Sequence, residues 1–122
     1  MDIALKRAYD PPEKTDGYRV LVARLWPRGV SKEQAKLDEW RKEIAPTDTL
    51  RKWFHHDAVR WGEFRRRYLV ELKEHRAELR ELAARSTRER VTLVYGAKDT
   101  ERNQAVVLRQ YLHMLGGGDT VR

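Results

Sequence analysis

Val20-Leu21-Val22-Ala23 is an unbroken apolar run inside a chain of 122 residues, 37% of which carry charge. A strand exposed on one face alternates apolar and polar side chains, so a continuous run reads as a strand covered on both faces. It forms the centre of a strand predicted from Tyr18 to Leu25. A second such centre lies in "RVTLVYGA", Arg90 to Ala97. Ile3 to Tyr9, "IALKRAY", reads as a further short strand, broken by the prolines and glycine of "DPPEKTDG". Buried strands separated by helical segments imply a small, largely parallel sheet with right-handed crossovers.

The segments between the strands change period from two to three or four. Ser31 with Gln34 forms a capping box, which starts a helix near Lys32. Leu37, Trp40 and Ile44 share one face of it, and Ala45-Pro46 closes it, because proline disfavours helical geometry in the residue before it. "TLRKWF" reads as a brief helical turn capped by Asp48. Asp57 caps one long helix, 57–85, whose apolar stripe is Trp61, Phe64, Tyr68, Leu72, His75, Leu79 and Leu82. Asp99 or Thr100 caps a last helix through Leu115, and Gly116-Gly117-Gly118 stops it. The expected fold is a single small α/β domain, 1–118, with a frayed tail at 119–122. Its sheet is mainly parallel, of about three or four strands, and flanked by helices.

The chain has no cysteine, which excludes disulfides, thiolate metal sites and a cysteine nucleophile. No apolar run reaches membrane-spanning length, and Asp2, Lys6 and Arg7 interrupt any signal-peptide core. The reading is a soluble, cytoplasmic protein with no membrane partner. Twenty-six Lys and Arg against 19 Asp and Glu leave a formal charge of +7. That excess favours anionic partners: nucleic acid, phosphorylated small molecules or an acidic protein.

Ligands of open parallel sheets bind beyond the carboxyl ends of the strands, near helix amino termini. Two segments have that placement, Arg24 to Ser31 and Gly96 to Asn103. They offer Arg24, Arg28 and Lys98 as cations, Trp26 as an apolar wall, Ser31 as a hydroxyl, and Asp99 and Asn103 as polar partners. Arginine's planar fork grips a phosphate or carboxylate through two hydrogen bonds. Pro27 and Gly29 stiffen the turn that would present Arg28. The expected ligand is a small phosphate- or carboxylate-bearing anion, with no cofactor called for. A plainer reading has Trp26 packing over the sheet end, Arg24 and Arg28 paired with Asp38 or Glu39, and Asp99 only capping its helix. No glycine-rich phosphate loop is present.

His55-His56-Asp57 does not make a metal site, since adjacent side chains point apart and no other His lies close in sequence. His56 beside Asp57 can serve as a general base or simply close the approach to the long helix. Tyr95 is a proton donor or a packed core residue. Along the long helix, Arg65, Lys73, Arg76 and Arg80 share one flank, and Glu63, Glu71, Glu74, Glu78 and Glu81 the other. The basic flank is the alternative site, for nucleic acid, unless it pairs with Glu33, Asp38 or Glu43. The two sorted flanks also suit docking to a partner or a second copy, and the oligomeric state stays open.

"YRVLVARLWPRGVSKE", "APTDTLRKWFHHD", "RWGEFRRRYLVEL" and "VTLVYGAKDTERNQAVVLRQYL" together resemble the YeaO-like branch of the domain of unknown function 488 family. The resemblance covers nearly the whole chain and implies a small bacterial or archaeal α/β domain. It brings no established reaction, although some members carry the label of transcriptional regulators. The family pattern usually reads "VDRLWPRG", with aspartate where this chain has Ala23, and histidine where this chain has Arg102. If that pair performs acid–base chemistry in the family, this chain has lost both groups. The matched polar positions that remain, Arg24, Arg28, Lys98, Asp99 and Asn103, suit binding better than proton transfer. Distant members carry a cysteine near the position of Tyr95, a mechanism this chain cannot share.

Overall fold

The computed structural model describes residues 1–120. Strands β1 (Ile3–Arg7), β2 (Tyr18–Leu21), β3 (Glu39–Trp40) and β4 (Val91–Tyr95) form one sheet in the order β1-β4-β2-β3, with every pair parallel. Leu93 of β4 lies level with Leu5 on one side and Val20 on the other. That central position explains the apolar sequence, because all five β4 residues are buried, and the polar Thr92 donates its hydroxyl to the Asp16 carbonyl. Val20, Val22, Val91, Leu93 and Tyr95 join the main core. Leu21 and Val94, of opposite parity, join Ala8 on the other face beneath Trp26, Leu37 and Trp40.

The helices are α1 (Lys32–Ala35), α2 (Asp48–Phe54), α3 (Trp61–Lys73), α4 (Arg76–Arg85) and α5 (Gln104–Thr120). Single 3-10 turns occupy Lys14–Asp16, Lys42–Ile44 and Ala58–Arg60. Phe54, Phe64, Tyr68, Leu72, Leu79, Leu108, Tyr111 and Leu112 carry the main core onto one sheet face. Each such side chain contributes about 1.5–3 kcal/mol on burial. The parallel α/β architecture and four-stranded sheet agree with the sequence reading.

Three elements differ from it. The helix predicted from Lys32 to Ile44 is one turn, an edge strand and a 3-10 turn. The Ser31–Gln34 capping box forms, but Lys36 turns left-handed at φ 46° and ends the helix. Asp38 then bonds Arg19 through both its amide and its carboxylate, which seats β3 beside β2. The helix predicted over 57–85 breaks at Glu74 and His75, whose amides bond three residues back to Glu71 and Leu72. Asp57 does cap its start, accepting from the Val59 amide at 3.0 Å. Finally, α5 continues through the glycines to Thr120 instead of stopping at Leu115. Gly116 serves there to admit Met1, whose sulfur a Cβ would meet at 2.1 Å. The tail predicted at 119–122 lies partly outside the described residues. Among those described, no helix is long and apolar enough to cross a membrane.

Candidate functional site

A cavity of about 210 Å³ opens where the carboxyl ends of β2 and β4 meet the amino terminus of α5. Ala23, Arg24 and Leu25 line it from the segment after β2, Gly96 and Ala97 from the segment after β4, and Gln104 from the first turn of α5. Ala45-Pro46, then Arg51 and Phe54 of α2, His56, and Phe64 of α3 complete the wall.

Hydrogen bonds fix this wall. Arg24 donates from Nε to the Pro46 carbonyl at 3.0 Å and from Nη2 to the Ala45 carbonyl at 3.2 Å. The Glu71 carboxylate accepts from the Thr47 amide at 2.9 Å and the Thr47 hydroxyl at 2.7 Å. The Tyr68 hydroxyl donates to the Ile44 carbonyl at 2.6 Å. Gln104 donates its amide to the Val22 carbonyl at 2.9 Å, tying the start of α5 to the end of β2. Arg51 differs: Nη2 reaches Asp48 at 3.2 Å, but Nε is buried and has no hydrogen-bond partner among the described residues. His55 and His56 both take left-handed backbone geometry, φ 45° and 52°, and His56 lies tilted against Phe54 at 5.7 Å.

The predicted ligand residues are not brought together. Arg24 lines the cavity. Trp26 packs on the opposite sheet face, edge to face with Trp40 at 5.3 Å, and its indole N–H donates to the Val30 carbonyl at 2.5 Å. Arg28 is exposed on the turn where Gly29 adopts φ 80°, and its carbonyl accepts from the Tyr9 hydroxyl. Ser31 is occupied by its capping box. Lys98 is exposed. Asp99 accepts from the Glu101 and Arg102 amides, which hold its carboxyl below the usual range. Asn103 is buried and caps α5, accepting from Val106, the role the sequence gave to Asp99 or Thr100. Ala23, where the family pattern has aspartate, lines the cavity; Arg102, where it has histidine, lies outside it in a 3.7 Å ion pair with Asp99.

Arg51, His56 and Gln104 are polar lining residues outside the predicted ligand set, although the sequence already offers His56 as a general base or as closing the approach to the long helix. The motif string "TLRKWFHHD" holds the first two, but nothing in its spacing shows that α2 folds back over the sheet end. Burial raises the Tyr95 phenol above its ordinary value, so this buried residue packs as a neutral side chain. Among the described residues, no group of three or more His, Asp or Glu can hold a metal ion. Of the alternative basic row, Arg65 and Lys73 lie on α3 and Arg76 and Arg80 on α4, all exposed, with the helix break between the pairs.

The fold and its strand-end cavity define a small open-sheet parallel α/β domain. The chain belongs to the family described as the inactive DUF488-N3 subclade, whose model matches residues 2–115. It is 50% identical over 115 residues to the protein YeaO of Escherichia coli (strain K12), described as uncharacterised, covering 94% of this chain and all of that one. Rv3073c of Mycobacterium tuberculosis (strain H37Rv) and Mb3100c of Mycobacterium bovis, described likewise, are each 40% identical over 113 residues. Those matches cover 91% of this chain and 93% of each relative. No solved structure matches the chain at a significant level.

Proposed function

We propose that this chain is a binding domain that holds a small organic anion, a carboxylate or phosphate monoester, in the strand-end cavity without turning it over. The observation that carries this reading is Arg51, a residue of the cavity wall whose buried Nε has no acceptor among the described residues. A buried donor left unsatisfied costs about 1–3 kcal/mol, which a ligand oxygen would recover. Arg24 adds a second guanidinium from the β2 end, and Phe54, Phe64 and Leu25 add apolar surface for a short organic body. The volume lies below the roughly 300–1,000 Å³ of sites for drug-sized ligands, which favours a small anion.

Binding without turnover follows from the lining. Among the described residues, the wall holds one imidazole, that of His56, and no carboxylate to act with it. The position of the family's aspartate is the methyl group of Ala23, and the relatives' subclade is described as inactive.

The test is a melting-temperature screen with phosphate, acetate, 2-oxo acids, sugar phosphates and a short DNA duplex. A ligand of the folded state stabilises it by about 2.7 kcal/mol at a hundredfold excess over its Kd. The expected result is a shift with one small anion, lost in Arg51→Met and retained in Arg28→Ala. A shift with the duplex alone, abolished by Arg76→Ala and steeply salt-dependent, would replace this reading with nucleic-acid binding through α3 and α4.

A further inference from the structure

A groove of about 310 Å³ runs between α3 and α5, and it shares no lining residue with the strand-end cavity. We infer that this groove is a second binding site, for a small amphiphile with an anionic head on an aliphatic body. Three independent features meet there.

The first is exposed aliphatic surface. Val70 on α3 is 51% exposed and Met114 on α5 56%, and both line the groove with the partly buried Leu69. Two large apolar side chains facing one depression on adjacent helices form a patch, not scattered surface residues.

The second is an excess of positive charge. Arg65, Arg66 and Lys73 line the groove, and no carboxylate does. Arg65 donates to the neutral Gln110 amide oxygen at 2.9 Å, and Lys73 has no ion-pair partner among the described residues. Arg66 shares Glu63 with Arg67, so one carboxylate serves two guanidiniums.

The third is Tyr111. It lines the groove, is 1% exposed, and its hydroxyl has no hydrogen-bond partner among the described residues. A head-group oxygen accepts from that hydroxyl while its charge rests against Lys73 and Arg65, and the aliphatic body covers Leu69, Val70 and Met114. A buried donor in a depression of ligand size favours a small molecule that reaches inside over a protein surface laid across the rim. Carboxylate and phosphate heads share this chemistry, and the test separates them.

The experiment titrates the whole chain with octanoate, octyl phosphate, octanol and octylammonium, followed by calorimetry and amide NMR shifts. Saturable binding of octanoate or octyl phosphate is expected, with shifts on α3 and α5; the tighter of the two names the head. Lys73→Glu and Val70→Asp, both at exposed positions, should weaken it tenfold or more, and Tyr111→Phe several-fold, with Arg51→Met unchanged. Equal binding of octylammonium, shifts confined to the strand-end cavity, or no saturation by about 10 mM would each overturn the inference. So would an acidic amphipathic peptide that saturates the groove where neither anion does. Because Arg51→Met leaves this site intact, its failure is distinguishable from failure of the strand-end site.

Discussion

Arg24 Nε donates to the Pro46 carbonyl at 3.0 Å, so the end of β2 is fastened to the residues that lead into α2. Its Nη2 does the same for Ala45, and both acceptor residues are buried. Arg24→Met keeps an apolar stem but strips two buried carbonyls of their donor. Hydrogen bonds to charged groups contribute about 1.5–3 kcal/mol, and partial exposure of Arg24 lowers that. The expected cost is about 2 kcal/mol in urea unfolding, together with loss of any anion-induced rise in Tm. Arg28→Ala should change stability by less than about 0.5 kcal/mol and leave anion binding intact. Equal losses in the two variants would refute the placement of the site.

Asp16 is 6% exposed and accepts from Arg19 at 2.6 Å, Lys6 at 3.1 Å and the Glu13 amide at 3.0 Å. Burial alone would raise its pKa, but these donors outweigh burial and hold the carboxyl below its ordinary value. The folded state therefore binds this proton less readily than the unfolded state does. The stabilisation is complete above the unfolded pKa of about 3.9 and is lost as pH falls through the lower folded value. Asp16→Asn should cost about 3 kcal/mol at pH 7, because Arg19 is left buried without its partner. Urea midpoints between pH 2 and pH 6 should also fall less steeply with acid in the variant than in the wild type.

The strands were legible because a parallel sheet covered on both faces demands apolar runs, and "VLVA" and "LVY" supply them. The edge strand was not. Leu37, Trp40 and Ile44 recur at helical spacing, yet Trp40 faces Trp26 because its backbone pairs with β2 and its indole donates to the Ala23 carbonyl at 2.7 Å. A two-residue strand is too short to impose alternation of its own. The break between α3 and α4 was hidden for the opposite reason: Leu72 and Leu79 are seven residues apart, so the apolar stripe keeps its phase across it.

For the site, the general rule for open sheets located the strand ends, and the cavity lies there. The side chains that fill it were harder to read. Arg24 and Trp26 would share a face of a regular strand, but the chain bends at Arg24 and Leu25, so Trp26 packs with Trp40 while Arg24 lines the cavity. Asn103 looked like a ligand partner but is consumed in capping α5. Arg51 and His56 come from a segment that only tertiary packing brings to the strand ends. Stacking of Phe54 on Phe64 at 4.2 Å does that, and no local pattern announces it.

His55 follows the last residue of α2 and sits at φ 45°, a geometry that disfavours any side chain with a Cβ. It is exposed and lies outside the cavity wall. His55→Gly should therefore raise stability by about 0.5–1 kcal/mol, read as a higher urea midpoint at unchanged m-value. A loss of that size would mean the imidazole makes a contact that outweighs the relief of backbone strain.

Tyr68 and Tyr111 are both buried phenols of the main core, and they should respond oppositely to loss of the hydroxyl. Tyr68 donates to the Ile44 carbonyl at 2.6 Å, so Tyr68→Phe leaves a buried acceptor without that donor. The expected cost is about 1–2 kcal/mol, with loosening of the 44–47 segment visible as faster amide exchange. The Tyr111 hydroxyl has no such partner among the described residues, and Tyr111→Phe removes an unsatisfied group while keeping the ring. Its stability in the absence of amphiphile should rise by about 1 kcal/mol. In saturating octanoate the gap should close, because only the wild type gains the head-group hydrogen bond. A Tyr111→Phe chain that loses stability without any added ligand would show that the hydroxyl already has a partner within the fold.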